Sequence, residues 1–96
     1  MLEATLGQQA RNVQLDIFEQ REPEFLADCR NLAVQICRQH GEVSINDIRK
    51  YIKVPRGVHP SVLGAVFRTK QFRKVGLCEA SHPEAHARII RVYALV

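Results

Sequence analysis

The stretch SINDIRKYIKVPRGVHPSVLGAVFRTK, residues 44–70, decides how this chain is organised. Ser44 and Asp47 have the spacing of a capping box, in which the serine hydroxyl accepts from a backbone N–H three residues on and the acid reaches back. A helix started there buries Ile45, Ile48, Tyr51 and Ile52 on one face and turns Asn46, Arg49, Lys50 and Lys53 to the other. Pro55 closes it, because the residue before a proline is pushed out of the helical conformation. The loop through Val58 then reverses the chain. A third helix is expected to begin near Pro60, a proline suited to a first turn, and to end by about Lys70, which helical spacing returns to the apolar side. Val62, Leu63, Val66 and Phe67 then face inward, and Ser61, Gly64, Ala65, Arg68 and Thr69 face outward.

Upstream, a helix is expected over Glu22 to His40. Pro23 suits its first turn, Glu22 and Glu24 suit its positive start, and Gly41 supplies a stop. Phe25, Cys29, Leu32, Ala33, Ile36 and Cys37 form its core-facing stripe. Residues 1–21 place Leu2, Leu6, Ala10, Val13 and Ile17 at spacings of three and four, the pattern of one helix face, with Gly7 as an interruption. Three placements of this extension remain open: docked on the domain, paired with a second copy, or loose.

Downstream the period changes from helical to alternating. Leu77 to Ser81 and Arg88 to Val96 read as two strands joined through residues 82–87, the second rich in β-branched and aromatic residues. Ile90, Val92 and Ala94 are expected to face the helices, and Ile89, Arg91 and Tyr93 to face elsewhere. The fold class is therefore α+β, mainly α. Its order is that of a winged helix, a three-helix helix-turn-helix core plus a C-terminal β-hairpin wing over residues 22–96, with residues 1–21 as an N-terminal extension.

Ninety-six residues suffice for one domain with a single modest core. No stretch approaches the roughly 20 apolar residues of a membrane span, and no basic segment leads into an apolar run, so neither a membrane partner nor a signal peptide is expected. Cys29, Cys37 and Cys78 are an odd number without framework spacing and read as reduced thiols in a cytoplasmic protein. The charge is segregated: through Asp47 four Lys/Arg stand against eight Asp/Glu, and from Ile48 onward ten stand against two. Such segregation suits a polyanion partner for the second half; a solvated basic surface with no partner is the plainer alternative.

In a helix-turn-helix the third helix enters the major groove of double-stranded DNA while neighbouring elements hold phosphates. Ser61, Gly64 and Ala65 carry too little bulk to keep that helix off a groove wall. Arg68 can fork onto a guanine, and Ser61 or Thr69 can bond a phosphate or a base. Helix–helix packing within the protein explains Gly64 equally well, but Arg68 on the same face argues against burying that face whole. Arg49, Lys50 and Lys53, Arg56 in the loop, Arg73 and Lys74 at the start of the hairpin, and Arg88 and Arg91 on the last strand are the phosphate-holding candidates.

Other chemistries have less behind them. Cys78, His82 and His86 have C-x₃-H-x₃-H spacing, but a tetrahedral metal site needs a fourth ligand that the sequence does not place nearby, so no metal or other cofactor is expected. There is no phosphate-cradling glycine loop and no nucleophile elbow, so no enzyme is expected either. The competing reading is a protein-interaction module that captures a host or phage protein or pairs with itself through residues 1–21.

His59-Pro60-Ser61-Val62-Leu63-Gly64-Ala65-Val66-Phe67, together with Pro83-Glu84-Ala85-His86-Ala87-Arg88 followed by Val92 and Tyr93, resembles the small winged-helix proteins of tailed bacteriophages and prophages. The pattern of that family is a His-Pro step opening the third helix, a Gly-Ala pair, and a P-x-x-H-x-R segment leading into a final strand. The likeness covers about the second half of the chain. Ser61 stands where the family often has asparagine, and Leu63 where it often has tryptophan. The resemblance implies a phage accessory or regulatory DNA-binding protein, in replication or transcription, acting in the bacterial cytoplasm.

Overall fold

The structure, a computed structural model, describes residues 13–81 and 88–96. Helix α1 runs over residues 13–21. After Glu22 come α2 (Pro23–His40), α3 (Ile45–Tyr51), a 3₁₀ helix (Pro60–Ala65) and the antiparallel strands β1 (Phe72–Glu79) and β2 (Ile89–Leu95). This is an α+β chain in which helices precede a two-stranded hairpin.

Local chemistry sets the limits of α2 and α3. Pro23 occupies the first turn of α2, where its missing N–H costs nothing, and Gly41 ends the helix at φ 86°, a left-handed conformation that glycine adopts freely. The Gly41 amide donates to the Cys37 carbonyl at 2.7 Å. At the start of α3 the Asp47 carboxylate accepts from the Ser44 amide at 2.8 Å, and the Ser44 hydroxyl donates to the same carboxylate at 3.4 Å. Tyr51 leaves the expected stripe: it is 71% exposed, because the chain turns extended at Ile52 and ends the helix before another turn can carry the ring inward.

The core is built where α2, α3 and the 3₁₀ segment converge. Leu26, Cys29, Ala33, Val43, Ile48, Val62, Ala65 and Val66 are sealed from solvent. Val43 pairs with Tyr93 through two backbone bonds of 2.8 Å, so a single residue before α3 adds a third rung to the edge of β2. Phe67 then joins helices to hairpin. Its ring stacks on Tyr93 at 4.2 Å and meets Phe72 edge-on at 5.2 Å.

Three expectations are corrected. First, the third helix is a six-residue 3₁₀ segment that does not run on to Lys70, and Ala65, expected outward, is fully buried. Val62, Leu63, Ala65, Val66 and Phe67 are all buried, a set too broad for one stripe of an α-helix. Second, Tyr93 turns to the core, and β1 begins at Phe72, five residues before the expected start at Leu77. The register shifts between Lys74 and Gly76, and this bulge breaks the alternation that would have revealed the strand. Third, α1 buries Leu15 and Phe18, whereas Val13 and Ile17 of the expected stripe are exposed. Leu2, Leu6 and Ala10 lie outside the described residues, as do His82 and His86.

Candidate nucleic-acid interface

The 3₁₀ segment is positioned by its own first residues. The Ser61 amide donates to Nδ1 of His59 at 3.1 Å, so the ring nitrogen takes the role that a serine or aspartate oxygen takes at other helix starts. With Nδ1 thus acting as an acceptor, the Ser61 hydroxyl is the donor in the 2.7 Å contact to the same nitrogen. The His-Pro step therefore caps and starts the segment in two adjacent residues.

The face expected to meet a groove is met by α1. Ser61 Oγ accepts from the Gln14 amide at 3.3 Å, and Arg68 Nη2 lies 2.9 Å from Asp16 Oδ1. Leu15 covers Gly64, where an added Cβ would stand 3.6 Å from Leu15 Cδ2. Thr69 does not present its hydroxyl outward: Oγ1 is buried and has no hydrogen-bond partner. Ser61, Gly64 and Arg68 do share one face, as helical spacing required, but that face is occupied from within the chain.

Gly64 gives this contact a direct test. Its φ is outside the left-handed range and 3.6 Å is an ordinary van der Waals separation, so alanine fits. Gly64→Ala is expected to leave stability unchanged or raise it by up to about 1 kcal/mol through the lost freedom of the unfolded chain. Urea denaturation reads this, and a loss of more than about 1 kcal/mol would mean that α1 sits closer than described.

Arg30 is the residue that sequence patterning missed. It projects from α2 and donates through Nε to the Val66 carbonyl at 2.9 Å and through Nη2 to the Ala65 carbonyl at 2.7 Å. It also pairs with Glu19 of α1 at 2.6 Å. The last carbonyls of a helix have no partner within it, and a guanidinium supplies several donors in one plane. One side chain thus joins α1, α2 and the end of the 3₁₀ segment. Asn46 acts similarly at the hairpin: its amide donates to the Glu79 carbonyl and accepts from the Ser81 amide, both at 2.9 Å, which ties α3 to the far end of β1.

The remaining candidate residues stay open to solvent. Lys53, Arg56, Arg73, Lys74, Arg88 and Arg91 are exposed and Arg49 is half-buried. Among the described residues none of these seven has a carboxylate within 4.0 Å, while Lys50 has Asp47 at 3.9 Å. Arg49 and Lys53 flank a shallow groove of about 250 Å³ floored by Ile52, Val54, Pro60 and Leu63. Arg73 and Lys74 lie on the edge of β1 just after the 3₁₀ segment, and Arg91 pairs across the hairpin with Leu77.

The cysteines are free thiols, and burial pushes Cys29 up to about 11, with Asp28 adding to the effect. Burial also raises Cys37. Neither is a thiolate nucleophile at neutral pH. Among the described residues no three His, Cys, Asp or Glu side chains gather as metal ligands, and no helix is long and apolar enough to cross a membrane. Comparison with protein-family models, curated proteins and solved structures found nothing that matches this chain.

Proposed function

We propose that this chain is a winged-helix DNA-binding protein of phage or prophage type, an accessory or regulatory factor working in the bacterial cytoplasm. The observation that carries the reading is the set of cations without acidic partners on α3, the loop after it and the hairpin, in a chain whose acids are gathered in the other half. An isolated basic surface residue needs no partner, but unpaired cations on three successive elements are what a phosphate backbone neutralises. The Val43 rung supports the fold assignment. It gives the order helix, strand, helix, short helix, strand, strand, the full complement of a helix-turn-helix with a wing.

On this reading Arg49, Lys53, Arg56, Arg73, Lys74 and Arg88 hold phosphates, and sequence is read only where base edges come within reach of the 3₁₀ face. About six such contacts would weaken binding roughly a thousandfold between about 50 and about 200 mM salt. Fluorescence anisotropy of a labelled random duplex tests this. Lys53→Ala is expected to weaken all duplexes alike and to reduce the salt slope by about one unit. Absence of binding at low salt would overturn the proposal.

The hairpin favours a second reading. Leu77 and Ile89 are 60% and 56% exposed and, through the pairs Leu77–Arg91 and Glu79–Ile89, share one outward face. Two apolar side chains on a solvent face suit a protein partner, and a chain that ignores DNA would direct attention there.

A further inference from the structure

The face that sequence chemistry assigns to DNA is covered by the most acidic neighbour the chain has to offer. Within residues 13–21 the carboxylates Asp16 and Glu19 stand against the single cation Arg21. Asp16 places its Oδ1 2.9 Å from the Arg68 guanidinium, where a phosphate oxygen would sit if Arg68 met a DNA backbone. Gln14 holds Ser61 beside it. Phosphate and carboxylate compete for the same donors, and they cannot be there together.

The manner of attachment suits replacement. The Asp16 and Arg68 side chains are 60% and 32% exposed, and an exposed ion pair of this kind contributes little to stability. Leu15 and Phe18, the apolar anchors of α1, keep partial contact with solvent at the rim of the core, unlike the sealed Leu26 and Ala33 of α2. One residue, Glu22, joins α1 to α2, and Pro23 prevents the two from fusing into a single straight helix. If α1 leaves, Arg30 loses Glu19 but keeps the Ala65 and Val66 carbonyls, so the 3₁₀ segment retains its support. Gly64 fits the same scheme. Alanine would pack acceptably under Leu15, so the missing side chain is not required by α1 and leaves room for a closer occupant.

We infer that α1 is an acidic cover on the 3₁₀ face, autoinhibitory in the described state, and that a DNA phosphate at Arg68 displaces it. This rests on the DNA-binding reading above. It adds that affinity is set by competition within the chain, with the closed form binding through α3 and the hairpin alone. The open form adds the 3₁₀ face.

The test uses the full chain and a labelled random duplex of about 20 base pairs, a length that covers two turns of groove. Asp16→Asn is expected to bind about five- to twentyfold more tightly than the unmodified protein, the range of a typical coupling between mutually exclusive contacts. Glu24→Gln, the same charge change on the exposed first turn of α2, reports general electrostatics and is expected to change affinity by about twofold or less. Hydrogen exchange on the unmodified protein gives an independent reading: amides of residues 14–21 are expected to lose protection at saturating duplex while those of α2 do not. Equal affinities for the two variants, or unchanged protection over residues 14–21, overturn the cover and leave DNA binding through α3 and the hairpin standing. If none of the three proteins binds at any salt concentration, DNA binding falls and the cover falls with it.

Discussion

Phe67→Ala is expected to lower the stability of the domain by about 3–5 kcal/mol, the range for deleting a buried aromatic side chain. Phe67 is 7% exposed and sits between the helices and the hairpin, stacked on Tyr93 and edge-on to Phe72. Each aromatic pair adds roughly 0.5–1.5 kcal/mol beyond the area it buries. The neighbours cannot collapse into the gap readily, because Tyr93 is held through its backbone by Val43, and Phe72 by its strand partner Leu95. A domain of this length has a total stability of about 5–15 kcal/mol, so the loss is a large share of it. Urea denaturation should show a lower midpoint at unchanged slope. A loss below about 1 kcal/mol would mean that the hairpin is not docked on this ring.

Arg30→Ala is expected to cost about 2–4 kcal/mol, through donors removed from acceptors that stay buried. The Ala65 and Val66 carbonyls end the 3₁₀ segment and have only the guanidinium to satisfy them beyond their own turn, so truncation leaves them with their desolvation uncompensated. The Glu19 pair adds less, because its carboxylate is 34% exposed and solvent screens it. Glu19→Gln is accordingly expected to cost no more than about 1 kcal/mol. Equal losses from the two substitutions would show that Arg30 matters as a charge partner and not as a cap on those carbonyls.

The parts of the fold that local chemistry controls were legible. Pro23 and Gly41 bound α2 because one residue tolerates a first turn and the other a left-handed exit. Ser44 and Asp47 start α3 because the acid three residues on can reach back to the cap. The hairpin was visible in β2, where no bulge interrupts the pattern, and half-hidden in β1, where Val75 is extra to the register and the shift before Gly76 erases the period of two. The candidate interface divides in the same way. That Lys53, Arg56, Arg73, Lys74 and Arg88 are exposed follows from what charged side chains do in water. Their lack of acidic partners among the described residues follows the separation of charge along the chain.

The amino-acid sequence by itself determined the order of the elements, the limits of the two capped helices, the segregation of charge and the grouping of Ser61, Gly64 and Arg68 on one face. Each of these is settled by residues within a turn or two of one another, where backbone chemistry and side-chain period act directly. Only the tertiary structure decided what that face meets and what conformation the segment takes. Gln14 reaches Ser61 across 47 residues, Arg30 reaches Ala65 across 35, and no local period encodes either contact. With the core on one side and α1 on the other, Val62, Leu63, Ala65, Val66 and Phe67 can all be buried, so the single-stripe rule that predicts an open α-helical face does not apply.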